Sequence, residues 1–121
     1  MAKNIRTLVA IAALPFAFGA GMAQASNAET CSLEVGYVKD AIVAGKFLGG
    51  TADANRTNML AKVDAASAKL ALNKPSDAID ILVAVAAKAT ELADAPKPKL
   101  ESATDINNAA TVAIACVGAS Q

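Results

Sequence analysis

The sequence predicts an all-α protein: a small up-down four-helix bundle, made of a three-helix core plus an N-terminal helix and closed by one disulfide. Three observations carry this prediction. Residues 26–121 make up 96 positions, of which 23 are alanine, the residue with the best intrinsic helix propensity and one that adds little side-chain volume. Pro75, Pro96 and Pro98, with the pair Gly49-Gly50, cut this region into four stretches of helical length, and no strand pattern competes. Two cysteines, Cys31 and Cys116, stand near the start of the first stretch and the end of the last.

The first 25 residues read as an export signal. Lys3 and Arg6 make a short positive region, Leu8 to Phe18 is an apolar run, and Ala23-Gln24-Ala25 has the small-x-small pattern that fits a signal peptidase pocket. Cleavage is expected after Ala25. Pro15, Gly19 and Gly21 interrupt the apolar stretch, which argues against a retained anchor, and Asn27-Ala28-Glu29-Thr30 before Cys31 is too polar for a lipoprotein signal. The mature protein, 26–121, is therefore expected as one helical domain with no membrane span.

The first helix is expected over about 30–48, where Cys31, Val35, Val38 and Ile42 fall on one face and Gly49-Gly50 stops the run. The second, about 53–72, has Asp53 as its expected cap and Leu60, Val63, Ser67 and Leu70 as its core face. It ends at Asn73-Lys74-Pro75, because a residue preceding proline avoids helical backbone angles. The third, about 76–93, opens at Ser76 or at Pro75 in its first turn and carries Ile79, Leu82, Val85, Ala86, Ala89 and Leu92.

The third helix is the most apolar of the four. At 100° per residue its apolar side chains span an arc of about 200°, wider than the roughly 100° a surface helix needs. Either it is a central helix touching several neighbours, or its Ile81, Val85 and Leu92 edge is a candidate interaction surface, through self-association or a partner helix. The alternating prolines of Asp94 to Lys99 predict a stiff polyproline connector rather than a docking motif, since Pro-x-x-Pro spacing is absent. The fourth helix, about 104–117, is expected to be capped by Thr104 or Asp105, to bury Ile106, Ala110, Ala113 and Val117, and to stop at Gly118.

In an up-down bundle Cys31 and Cys116 lie at the same end. An even cysteine count in an exported protein points to a bridge, and neither Cys-x-x-Cys spacing nor additional ligands suggest redox or metal chemistry. Asp77 with Asp80, and Glu34 with Asp40, are carboxylate pairs on the hydrophilic sides of helices, where solvation explains them without catalysis. The stretch Gly45 to Thr51 has the wrong order for a phosphate loop and reads as a turn, with Phe47 capping the core.

Histidine and tryptophan are absent and Tyr37 is the only tyrosine, which removes Ser-His-Asp and Cys-His catalysis, histidine metal sites and base-stacking platforms. Nine basic against 11 acidic residues leave 26–121 with a charge of −2, no pattern for nucleic acid. No catalytic residue, metal ligand or cofactor is expected.

The runs Leu60-Ala61-Lys62-Val63-Asp64-Ala65-Ala66, Leu70-Ala71-Leu72-Asn73-Lys74, Ala78-Ile79-Asp80-Ile81-Leu82 and Ala109-Ala110-Thr111-Val112-Ala113-Ile114 resemble the FIMAH-type helical module of bacterial extracellular enzymes. The resemblance spans residues 59–117, about three of the four helices, and departs from the family where its second helix expects an aromatic and Ala84 or Val85 stands here. It implies a non-catalytic accessory or binding role and names no binding residue. The expected function is a small exported binding or structural module that contacts a protein, a glycan or a cell-envelope component in the periplasm or outside the cell, with a homo-oligomer as one form of contact. The alternative is a ligand carrier or minor enzyme with a pocket between helices.

Overall fold

A computed structural model describes the backbone from Gln24 and side chains from Cys31 to Gln121. The expected export signal, residues 1–25, lies outside the described residues except for the backbone of Gln24 and Ala25. Four helices follow in order: α1 (Gln24–Ala44), α2 (Ala52–Ala71), α3 (Pro75–Asp94) and α4 (Thr104–Ala119). Each packs against its sequence neighbours, and α4 closes back on α1, so the helices surround one core as a small bundle. Among the described residues no helix is long and apolar enough to cross a membrane.

The core faces of α1 and α4 are as expected. Cys31, Val35, Val38 and Ile42 are buried, as are Ile106, Ala110, Ala113 and Val117. In α2 the face is turned: Met59, Val63, Ala66 and Leu70 are buried, while Leu60 is only half-buried and Ser67 is exposed. The i, i+4, i+7, i+11 spacing of the buried set follows the 3.6-residue turn, and it places apolar Met59 and Ala66 inward in preference to the hydroxyl of Ser67.

Helix ends differ from expectation in five places, the first being that α1 begins at Gln24 and not near residue 30. Helix α1 stops at Ala44, short of the glycine pair, because Phe47 folds inward and its strand-like segment pairs with Leu100. Asp53 sits within the first turn of α2, where its charge favours the helix dipole, and Thr51 takes the cap position without a side-chain cap bond. Thr104 and Asp105 likewise lie inside α4, and the Thr104 amide donates to Ser102 Oγ at 3.2 Å. Gly118 does not end α4, which continues through Ala119. The α2–α3 turn is as expected: Asn73 adopts a left-handed φ of 59°, which returns the Lys74 amide to the Lys69 carbonyl at 2.8 Å.

The α1–α2 and α3–α4 loops meet at one end of the bundle. Phe47 and Leu100 form an antiparallel bridge in which Leu48 donates to Lys99 and Glu101 donates to Lys46, both at 2.9 Å. The side chain of Arg56 locks this end, donating to the Gly45 carbonyl at 2.9 Å while its guanidinium lies 4.9 Å from the Phe47 ring centre. The proline linker does not run straight through as a stiff connector. Ala95 has polyproline-like angles, φ −60° and ψ 151°, but the Lys99 amide turns back to the Leu92 carbonyl at 2.8 Å so that Leu100 can enter the core.

Candidate interaction surfaces and the disulfide

Cys31 and Cys116 form a disulfide across α1 and α4, with their Cα atoms 5.7 Å apart. It lies at the end of the bundle opposite the Phe47–Leu100 bridge. Cys31 is buried and Cys116 half-buried, so an attacking thiolate has one accessible sulfur. Beside that sulfur stands Glu34, its carboxylate 3.9 Å from Cys116 Sγ. A disulfide sulfur has no hydrogen to donate, so this is a contact between the carboxylate and the bridge and not a hydrogen bond.

The edge of α3 proposed as an interaction surface is not free. Val85 is fully buried, Leu92 is 5% exposed, and Ile81 is half-buried. Measured from Ile79 at 100° per residue, the buried residues Leu92, Val85, Ala78, Ala89 and Leu82 fall between about 220° and 300°. Half-buried Ile81 flanks this arc on the side of α2, with Ala86 and Ile79 on the side of α4, extending cover to about 160°. The wide apolar arc thus belongs to a helix with a neighbour on each side, and Val83 is its exposed member, at 50%. Of the other large exposed apolar side chains, Leu33, Tyr37 and Val43 are on α1, Leu72 follows the end of α2 and Val112 is on α4.

The carboxylates named from the sequence do not converge. Asp77 pairs with Lys69 across α2 and α3 at 3.9 Å, while Asp40 and Asp80 are exposed. Lys39 pairs with Asp64 between α1 and α2 at 2.9 Å. These are solvated pairs that contribute about 0–1 kcal/mol each.

A concavity of about 540 Å³ lies on the outer face between α2 and α3. Asn55, Asn58 and Lys62 of α2 and Lys88 of α3 edge it, Ala61 and Ala65 leave it open, and buried Met59 lies beneath. Two cations and two amides therefore face a surface groove whose lining includes no acid. In the sequence Lys62 stands among the residues off the expected core face of α2, with nothing to connect it with Lys88. The signal that combines it with Lys88 is the phase of α2 relative to α3, which needs the packed structure. No protein-family model matches this sequence, and no curated protein or solved structure does.

Proposed function

We propose that the protein is a small exported, non-catalytic helical binding module acting in the periplasm or outside the cell on a protein, a glycan or a cell-envelope component. The observation that carries this reading is the Cys31–Cys116 bridge, since a structural disulfide suits an oxidising compartment and agrees with the export signal read from residues 1–25. A bundle tied covalently at one end and by the Phe47–Leu100 bridge at the other is a rigid platform, and rigid surfaces lose little entropy on binding. The FIMAH-type resemblance of residues 59–117 favours the same accessory role.

The experiment has two parts. Intact-mass analysis of the exported protein is expected to give a polypeptide starting at Ser26; a mass retaining Met1 to Ala25 would overturn export by cleavage. Immobilised protein is then exposed to purified envelope and secreted fractions. The expected result is saturable retention of a macromolecule, displaced by excess free protein. Recovery of a small molecule instead would favour the carrier reading.

A further inference from the structure

We propose that the groove between α2 and α3 holds an acidic stretch of an extended polypeptide, with Lys62 and Lys88 receiving its carboxylates and Asn58 and Asn55 pairing with its backbone. This rests on the binding-module reading and names the partner's chemistry.

The groove is open because Ala61 and Ala65 stand where longer side chains would fill it. From Asn55 to Ala65 the helix rises about 15 Å, which matches four or five residues of extended polypeptide. The cations are available. Lys62 has no ion pair or hydrogen bond among the described residues. Lys88 has only Glu91, one turn along its own helix at 3.4 Å, and so weak and exposed a pair is readily exchanged for a ligand carboxylate.

The amides suit a peptide. An asparagine side chain offers one acceptor and two donor hydrogens, the complement of a backbone carbonyl and amide N–H. Asn58 makes no hydrogen bond among the described residues, and Asn55 commits one N–H to Thr51 Oγ1 at 3.2 Å. The lining contains no aromatic ring on which a sugar would stack and no arginine to grip a phosphate in bidentate fashion. Lysines acting as point charges, beside amides, fit glutamate or aspartate side chains on a peptide backbone.

The test is titration of acetylated, amidated octaglutamate into the isotope-labelled protein. Signals of the Asn55 and Asn58 side-chain amides and of Lys62 are expected to shift together. The double variant Lys62→Glu, Lys88→Glu is expected to weaken binding at least about tenfold, while Lys97→Glu in the α3–α4 linker leaves it unchanged. Thermal melts check that the charge-reversed protein still folds. Equal weakening by Lys97→Glu overturns the groove in favour of diffuse attraction, as does the absence of shifts along α2. Displacement by oligogalacturonate at lower concentration than octaglutamate overturns the peptide in favour of an acidic glycan. If the double variant still retains the macromolecule captured by the wild-type protein, the groove assignment fails while the binding-module reading stands. If octaglutamate binds in the groove but the wild-type protein retains no macromolecule, the groove stands and the module reading fails.

Discussion

Opening the Cys31–Cys116 bridge removes the largest single constraint on the unfolded polypeptide. The two cysteines are 85 residues apart, so the bond closes a loop around nearly the whole bundle. In the chain-entropy model that loop is worth about 15 cal/mol/K, or about 4.6 kcal/mol at 25 °C. Small domains have total stabilities of roughly 5–15 kcal/mol, so the bridge supplies from about a third to nearly all of the total. On reduction the melting temperature should fall by about 20–35 °C at the sensitivity usual for a domain of this size. Reduction keeps both sulfur atoms in place, whereas Cys31→Ala with Cys116→Ala also empties the buried Cys31 site and is expected to cost about 1 kcal/mol more. Urea titration of the oxidised, reduced and double-alanine proteins separates these contributions. The denaturant dependence should steepen once the bridge is open, because the unfolded state without a crosslink exposes more surface. A loss under about 1 kcal/mol with an unchanged slope would refute the reasoning, showing that the bridge does not limit the unfolded state.

Two further contrasts test the packing. Leu82→Ala is expected to destabilise by about 2–5 kcal/mol and Val83→Ala by less than about 0.5 kcal/mol, since Leu82 is fully buried and Val83 half exposed; equal effects in chemical denaturation would refute the phase assigned to α3. Gly36→Ala is expected to stabilise by about 0.5–1 kcal/mol, because a Cβ there meets nothing within 4 Å and the position is inside α1. Gly49→Ala should instead cost about 1–2 kcal/mol, since φ is +83° there, and calorimetric melting that reverses these signs would exclude the loop geometry described.

The four helices were legible because their breaks are chemical: proline cannot continue a helix and the glycines lower the cost of leaving one. The core face of α1 was legible because Cys31, Val35, Val38 and Ile42 recur at helical spacing, and that of α4 because the larger Ile106 and Val117, three turns apart, fix the phase of Ala110 and Ala113 between them. In α2 the phase was ambiguous. Met59 beside Leu60 and Ala66 beside Ser67 offer two adjacent apolar rows, and alanine is too small to mark the buried one. The Phe47–Leu100 bridge was not legible at all, since it joins residues from two loops far apart in sequence and no local pattern encodes such a pairing. Val85 and Leu92 do not form the exposed edge the sequence allowed, because they lie inside the arc that α3 buries, and only the packing of α2 and α4 on either side decides that. The groove was hidden for the same reason: Lys62 and Lys88 meet only after two helix phases and a turn are fixed.

Alanine links the fold's weakness to its proposed use. Ala66, Ala78, Ala89, Ala110 and Ala113 occupy buried positions where leucine would remove far more apolar surface from water. Each therefore contributes little burial, and covalent closure becomes a large share of the stability. On the outside the same residue has the opposite value. Ala61 and Ala65 cover the seam between α2 and α3 with single methyl groups, so the helices approach without filling the space above them. A sequence richer in leucine would hold its core with less need of the disulfide. Leucine at positions 61 and 65 would also occupy the groove over Met59 in which Lys62 and Lys88 face a ligand, so the composition that makes the bridge necessary is also the one that leaves a site open.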